Sequence, residues 1–147
     1  MTDEVVTDDE TPSDEAPTSG AVRPGEFSLG ITWDIVESDE EHVVCRMPFT
    51  DDLRSATGVV HAGAMLWIAD LTATYLASNG TEIAEDGRGF PLMIDLHASV
   101  LANQQGGDVV AEARIVRRGR RVTVVRTRVS GVDDKTLAEV TTTHIPW

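Results

Sequence analysis

The sequence predicts an α+β domain in which one antiparallel sheet of five to six strands wraps around one long central helix. Three observations support this fold class. One stretch of about five helical turns is apolar on nearly every side, which indicates a buried helix. The segments on both sides of it alternate between apolar and polar residues, as half-buried strands do. Short turns join the strands that follow the helix, and short turns require antiparallel neighbours.

The length and charge of the chain restrict its class. Its 147 residues suit one ordinary domain, and its single cysteine, Cys45, excludes an internal disulfide. Seven of the 25 acidic residues lie in residues 1–20, so the rest is only moderately acidic despite a net charge of −13. Nucleic acid and anionic membranes both favour a basic face, which argues against either as the main partner. No signal peptide or membrane span is recognised, so we expect a cytoplasmic protein.

The chain is predicted to divide into an acidic tail and one folded domain. Residues 1–22 consist mainly of Asp, Glu, Thr, Ser and Pro, and this composition predicts a disordered tail. The domain is predicted over residues 23–147. Within it, residues 31–36 alternate in polarity and predict a half-buried strand. Residues 43–47 predict the returning strand after a polar hairpin turn.

Residues 57–79 form the central stretch. Gly58, His61 and Gly63 lie at its start, and about five apolar turns follow, which are predicted to be a helix covered on nearly every side. A helical period places Ala62, Leu66, Ala69, Ala73 and Leu76 on one stripe, and Gly63, Trp67, Asp70 and Thr74 on a second. A buried carboxylate costs several kcal/mol to desolvate unless it is hydrogen-bonded or its pKa shifts. Asp70 is therefore either a reactive group or a structural residue whose carboxylate is satisfied by its neighbours.

Four strands are predicted after the helix. They occupy residues 91–101, 109–116, 122–129 and 137–145, and the first is expected to be covered on both faces. The alternation of the third changes phase between Val124 and Val125, which predicts a bulge there. A tight connection over residues 117–121 holds the one basic cluster of an otherwise acidic domain.

Gly58, His61, Gly63 and Asp70 resemble the motif of the hotdog-fold acyl-CoA thioesterases of the phenylacetate-pathway (PaaI) type. In that family, Asn-x-x-Gly-x-x-His-Gly-Gly precedes an Asp or Glu that lies nine residues after the His. The order of strands and helix over residues 27–147 is also that of the hotdog fold. The resemblance therefore implies both this fold and a thioesterase activity.

Two positions depart from the family pattern. Ser55 stands where the family usually has Asn, and the change removes a group that can position water or a carboxylate. Ala62 replaces the first Gly after the His. Alanine keeps its backbone N–H, so this second change threatens a site at the helix start little.

The resemblance implies an acyl-CoA thioesterase that uses no metal or redox cofactor. Asp70 would act as general base on water, or as nucleophile at the thioester carbonyl. The N–H of Gly63 or Ala62, aided by the helix dipole, would hold the oxyanion, and His61 would orient the thioester. Further substrate-binding candidates are Ser55, Gly58 and Thr74, together with Arg117, Arg118, Gly119 and Arg120, whose guanidinium groups would contact the CoA phosphates.

Each candidate also has a structural interpretation. His61 is then a simple cap of the helix, the two glycines permit tight backbone packing, and the arginines form a solvated hairpin tip. Two other functions share the expected fold: a hotdog hydratase or dehydratase acting on acyl thioesters, and a non-catalytic acyl-thioester binding module. His42, His97 and His144 lie in strand-like segments and are too scattered to indicate a metal site.

The spacing of His61 and Asp70 predicts an oligomer. Nine residues on a continuous helix correspond to a rise of about 13 Å and a rotation of about 180°, so the two side chains cannot meet within one chain. If both serve one site, each site combines one residue from each of two subunits, which requires a two-fold dimer. Hotdog thioesterases are dimers or dimers of dimers, so the resemblance also implies a homodimer or homotetramer.

Overall fold

The computed structural model describes residues 31–147. The predicted tail, residues 1–22, and the predicted start of the domain at residue 23 lie outside the described residues. The elements follow the predicted order of two strands, one helix and four strands. They are β1 (Asp34–Ser38), β2 (His42–Met47), α1 (Ala62–Ser78), β3 (Pro91–Val100), β4 (Val109–Arg118), β5 (Thr123–Ser130) and β6 (Thr136–Pro146), with short 3₁₀ helices at Asp51–Leu53 and Val132–Asp134.

All six strands belong to one sheet, in the order β1-β2-β4-β5-β6-β3. Every neighbouring pair is antiparallel. The three consecutive strands β4, β5 and β6 form its centre because tight turns join them, whereas β3 lies beyond β6 at one edge. The predicted class, one antiparallel sheet around one helix, is confirmed. No helix in the described part of the chain is long and apolar enough to cross a membrane.

One face of α1 packs against the sheet, mainly against β2, β4 and β5. Its buried residues are Ala64, Met65, Ile68, Ala69, Thr72, Ala73, Leu76 and Ala77. The opposite face, which includes Leu66, Trp67, Asp70, Leu71, Thr74 and Tyr75, is only half-buried. The prediction of a helix covered on nearly every side is therefore wrong for the single chain. Because apolar residues surround this helix, its period cannot tell which side meets the sheet.

Strand β3 also departs from its prediction. Among the strands of residues 31–147 it pairs with β6 alone, and Leu92, Met93, Ile94 and Val100 are exposed, Ile94 to 58%. Residues 31–147 therefore do not cover both of its faces, and the expectation is wrong for this part of the chain. Apolar residues on both faces of a strand indicate that something covers it, but they do not say that the cover comes from the same chain.

The predicted bulge in β5 lies in β4 instead. The register shifts between Ile115 and Arg117, which pair with Val125 and Val124, so Val116 is the extra residue. Strand β5 has no such shift in its pairing with β4. The phase change that the sequence shows arises because Val124 lies on the side of the sheet away from α1, whereas Val125 is buried.

Candidate active site

His61 caps the N-terminal end of α1. Its backbone is extended (φ −65°, ψ 130°), and its ring Nδ1 accepts a hydrogen bond of 2.9 Å from the N–H of Gly63. Its carbonyl accepts from the N–H groups of Ala64 and Met65 at 2.9 and 3.3 Å. Since Nδ1 is an acceptor here, a neutral His61 ring carries its proton on Nε2. The ring itself is exposed.

The first N–H of the helix, that of Ala62, donates to no other described residue. Four N–H groups at a helix start lack intrahelical partners, and the other three here are bonded to His61. The N–H of Ala62 is therefore the free donor at the positive end of the helix dipole. The sequence offered the N–H of Gly63 or of Ala62 as the oxyanion donor, and of these two only the N–H of Ala62 has no partner among the described residues.

Two glycines near this end are required for different reasons. A Cβ on Gly63 would lie 3.0 Å from His61 Nδ1, which is tighter than an ordinary contact, so the capping ring would have to shift by a few tenths of an ångström. Gly58 has open space around it but adopts φ +84°, which L side chains rarely take. Local hydrogen bonds hold the loop that joins β2 to Gly58. One of these joins Ser55 Oγ and Thr57 Oγ1 at 3.0 Å.

Asp70 lies near the middle of α1, on the half-buried face. Its Oδ1 accepts a hydrogen bond of 3.3 Å from Thr74 Oγ1, one turn later. Burial raises the pKa of the Asp70 carboxyl above its ordinary value of 3.8, and the Thr74 hydrogen bond only partly opposes the shift. No cation in the described chain forms an ion pair with Asp70. The carboxylate is thus desolvated without a counter-charge, which is a common state of a general base.

His61 and Asp70 are not brought together within the chain. Helix α1 is continuous from Ala62 to Ser78, so the two residues are separated by about 13 Å along its axis and by half a turn around it. A site that uses both needs a second copy of this surface.

The arginine hairpin lies at the opposite end of α1. Arg118 donates to the carbonyls of Leu76 and Ala77 at 3.1 Å each and to that of Glu40 at 2.9 Å. It thereby uses three of its five N–H donors on the protein itself. Arg117 and Arg120 form no hydrogen bond or ion pair with other residues in the range 31–147. These two guanidinium groups are free to meet an anion.

A pocket of about 160 Å³ opens beside this hairpin. Its wall includes Arg118, Gly119 and Arg120, with Ala77 at the end of the helix and His144 of β6. His144 is 1% exposed, and its Nδ1 has no hydrogen-bond partner while Nε2 lies 2.9 Å from Thr142 Oγ1. Desolvation lowers the pKa of His144 to about 4, so the ring is neutral at physiological pH. Sequence reasoning missed His144, since no pattern links β6 to the hairpin.

The described residues contain no cluster of three or more His, Cys, Asp or Glu side chains placed to hold a metal.

Comparison with known proteins identifies the architecture. A model of the thioesterase superfamily matches residues 57–138, which is more than half of the chain. No curated protein matches the sequence. This six-stranded sheet with one helix is the hotdog fold of that superfamily.

Several solved structures are similar. The conserved protein PA5202 from Pseudomonas aeruginosa has a TM-score of 0.72 and 24% identity, with 87% of this chain and 100% of that chain covered. A variant of the thioesterase PA1618 from the same organism has a TM-score of 0.67 and 25% identity, covering 81% and 84%. A hypothetical thioesterase from Streptococcus pneumoniae, solved with coenzyme A, has a TM-score of 0.69 and 14% identity, covering 78% and 88%. The family match supports acyl-thioester hydrolysis in general, and the structural likenesses support the fold.

Proposed function

Because this chain belongs to the thioesterase superfamily, we propose that it is an acyl-CoA thioesterase of the PaaI type, which hydrolyses an acyl-CoA to a free acid and CoA. One observation carries the proposal. Asp70 is a half-buried carboxylate with a raised pKa, on the face of α1 that this chain leaves open. A carboxylate whose pKa is moved towards neutrality is suited to take a proton from water and to return it.

In the proposed reaction, Asp70 takes a proton from water while the water oxygen bonds to the thioester carbonyl carbon. The tetrahedral intermediate then breaks its C–S bond, and the departing thiolate of CoA takes the proton from Asp70. In the alternative, the Asp70 carboxylate attacks the carbonyl carbon directly and the C–S bond breaks, which releases the CoA thiolate and leaves a mixed anhydride. Water then hydrolyses the anhydride to the free acid and restores Asp70. Both routes place negative charge on the carbonyl oxygen, so both need an oxyanion donor.

We assign the oxyanion donor to Ala62 before Gly63, because the N–H of Gly63 is bonded to His61 and that of Ala62 is free. His61, with its proton on Nε2, donates a second hydrogen bond that orients the thioester. The remaining proposed contacts with the substrate come from Ser55 and Gly58 in the segment before the helix. Thr74 supports the site by its hydrogen bond to Asp70.

We propose a homodimer, or a dimer of dimers, in which each site combines His61 of one subunit with Asp70 of the other. The separation of these residues along α1 supports it. So does β3, which lies at the edge of the sheet among the described strands and has exposed side chains such as Leu92 and Ile94. An apolar strand edge of this kind readily pairs with a second copy.

The CoA phosphates are proposed to bind the hairpin residues Arg117, Arg118, Gly119 and Arg120. The free guanidinium groups of Arg117 and Arg120 support this, as does the pocket beside them. Arg118 contributes less, since most of its donors already bind carbonyls. Acyl-CoA is an intracellular metabolite, so the proposal places the protein in the cytoplasm.

The proposal is tested by supplying a panel of short, long and aromatic acyl-CoA esters and measuring release of the free thiol. Release above the uncatalysed rate for at least one ester is expected. Hydration of an enoyl-CoA without thiol release would indicate a hydratase instead. Absence of turnover with every ester would overturn the proposal.

A non-catalytic acyl-thioester binding module is the second candidate. It is favoured by Ser55, whose hydroxyl bonds to neighbouring Thr57 and leaves the site without the amide that the family usually has there. Tight binding of a non-hydrolysable thioether analogue of acyl-CoA, with no turnover of the esters, would support this candidate.

A further inference from the structure

The connection between β3 and β4 holds the segment that leads into α1. Asn103 Nδ2 donates a hydrogen bond of 2.9 Å to the carbonyl of Val60, and the carbonyl of Gln104 accepts one of 2.9 Å from the N–H of Val60. Val60 is fully buried. Without Asn103, its carbonyl would lack this partner in a place that water does not reach, which is costly.

The Val60 carbonyl belongs to the same peptide unit as the N–H of His61. That N–H donates to the carbonyl of Leu53 at 2.7 Å. A peptide unit is planar, so holding its C=O and its N–H fixes its rotation. The orientation of this unit sets the direction in which the chain leaves towards the His61 ring and the free N–H of Ala62.

Asn103 is itself held in one orientation. Its Oδ1 accepts from the N–H of Gln104 at 2.8 Å, which fixes the side-chain amide. Lys135 Nζ binds the backbone carbonyl of Asn103 at 3.0 Å and does not touch that amide. Reversing the amide would place its NH₂ against the Gln104 N–H and its oxygen against the Val60 carbonyl. Both contacts would then be repulsive, so the amide has one orientation. In that orientation it connects two segments that are 43 residues apart.

We propose that Asn103 is a positioning residue of the thioesterase reaction, acting through the Val60–His61 peptide on the Ala62 N–H and the His61 ring. This inference rests on the proposed function. The donor that holds an oxyanion must lie within a few tenths of an ångström of its place, and a misplacement of about 1 Å costs up to about 100-fold in rate. Substrate affinity depends on other contacts, chiefly those at the arginine hairpin.

The test compares Asn103→Asp with Lys135→Met. The first change keeps the side-chain shape but sets an oxygen against the Val60 carbonyl. The second removes the hydrogen bond to the backbone of Asn103 and leaves its amide in place. For Asn103→Asp we expect kcat to fall about 10-fold or more, with KM changed less than about 2-fold. Lys135→Met should keep kcat within about 2-fold of the wild type.

A second measurement does not depend on activity. The ¹⁵N chemical shifts of the His61 ring and the Gly63 amide report the hydrogen bond between Nδ1 and that amide. They should move in Asn103→Asp and stay in Lys135→Met. If the wild type hydrolyses no acyl-CoA but these shifts still move, the proposed function fails and the positioning by Asn103 stands.

Unchanged kcat and unchanged shifts in Asn103→Asp would overturn the inference, and so would an equal loss of kcat in Lys135→Met. If Asn103→Asp does not fold, Asn103→Ser serves in its place, because it retains a shorter donor. Loss of kcat with retained KM and moved His61 shifts in Asn103→Ser supports the inference, and wild-type values of both contradict it.

Discussion

The two ends of α1 treat their backbone groups in opposite ways. At the C-terminal end, all four of the last carbonyls accept hydrogen bonds. Tyr75 accepts from Ser78 Oγ, Leu76 from the Asn79 N–H and Arg118, Ala77 from Arg118 and Thr81 Oγ1, and Ser78 from the Thr81 N–H. At the N-terminal end, His61 binds three of the first four N–H groups and leaves that of Ala62 free. The chain closes one end of its helix and leaves the other able to bind a ligand.

The two ends of α1 also differ in how far apart in the sequence their hydrogen-bond partners lie. His61 and Gly63 are two residues apart, so the cap at the N-terminal end is visible as a motif. Arg118 reaches Ala77 across 41 residues, so the closure of the C-terminal end appears only in the folded chain. The sequence indicates all of these arginines as phosphate contacts. In the structure, Arg118 binds backbone carbonyls, whereas Arg117 and Arg120 have no partner among the described residues.

The largest expected effect concerns Asp70, the carboxylate proposed to act together with the N-terminal end of α1. Asp70→Asn keeps the shape but removes the base, so thioesterase kcat should fall about 10² to 10⁴-fold. The fold should persist, as judged by circular dichroism. Turnover equal to that of the wild type would mean that Asp70 takes no part in the reaction. The N–H of Ala62 would then not act together with this carboxylate.

The raised pKa of Asp70 sets the signs of two further results in that experiment. The base must be ionised, so wild-type kcat/KM should fall as pH drops through the raised folded pKa, which lies above 3.8. Folding favours the neutral carboxyl, so its stabilising contribution is present below the unfolded pKa and is lost as pH rises through the folded value. At neutral pH the ionised carboxylate therefore costs stability, and Asp70→Asn should melt at a higher temperature than the wild type.

A subunit-mixing experiment tests whether the N-terminal end of α1 in one subunit forms a site with Asp70 of another subunit. His61→Ala and Asp70→Asn protomers should each be nearly inactive alone. In a heterodimer, one site collects both lesions and the other collects none. With random exchange, half of the dimers carry one intact site of two, so about a quarter of the wild-type activity should return. If mass spectrometry proves exchange and no activity returns, the two residues do not share a site.

A smaller effect is expected from the glycine beneath the capping ring. Gly63→Ala introduces a Cβ 3.0 Å from His61 Nδ1, so the ring must move and the cap must loosen. We expect kcat to fall about 10-fold, because the groups around the oxyanion lose their alignment. Gly106→Ala is the matched control, since its Cβ would meet only Phe49 at 3.9 Å, an ordinary contact. Equal kcat for the two variants would mean that the cap is purely structural.

Much of this fold could be predicted because its signals are local. Alternation and short turns predicted five to six antiparallel strands, and the apolar turns within residues 57–79 predicted the helix. The buried side of α1 could not be predicted, since Leu66 and Met65 are equally apolar and only the sheet chooses between them. The exposed edge β3 has the same origin, because its apolar residues form a surface that residues 31–147 do not cover.

The candidate site divides in the same way. The motif from Gly58 to Asp70 drew attention to the open end of α1, because its parts lie within one stretch of chain. Asn103 lies outside this motif, and its hydrogen bond to Val60 crosses 43 residues. His144 looked like an isolated strand histidine, although it borders the hairpin pocket. Partners that are far apart in sequence leave no periodic signal for a single sequence to display.

The smallest expected effects distinguish the closed end from the proposed phosphate contact beside it. Arg118→Met removes three hydrogen bonds to carbonyls, two of which keep another partner, so unfolding should become easier by about 1–2 kcal/mol. The melting temperature should fall by several degrees. Arg120→Met removes a guanidinium with no partner in the described chain, so stability should stay the same while KM for acyl-CoA rises several-fold. Calorimetry and steady-state kinetics on both variants give the comparison. A rise in KM without a loss of stability in Arg118→Met would mean that Arg118 binds the substrate rather than stabilising the helix. The C-terminal end of α1 would then be able to bind a ligand as well.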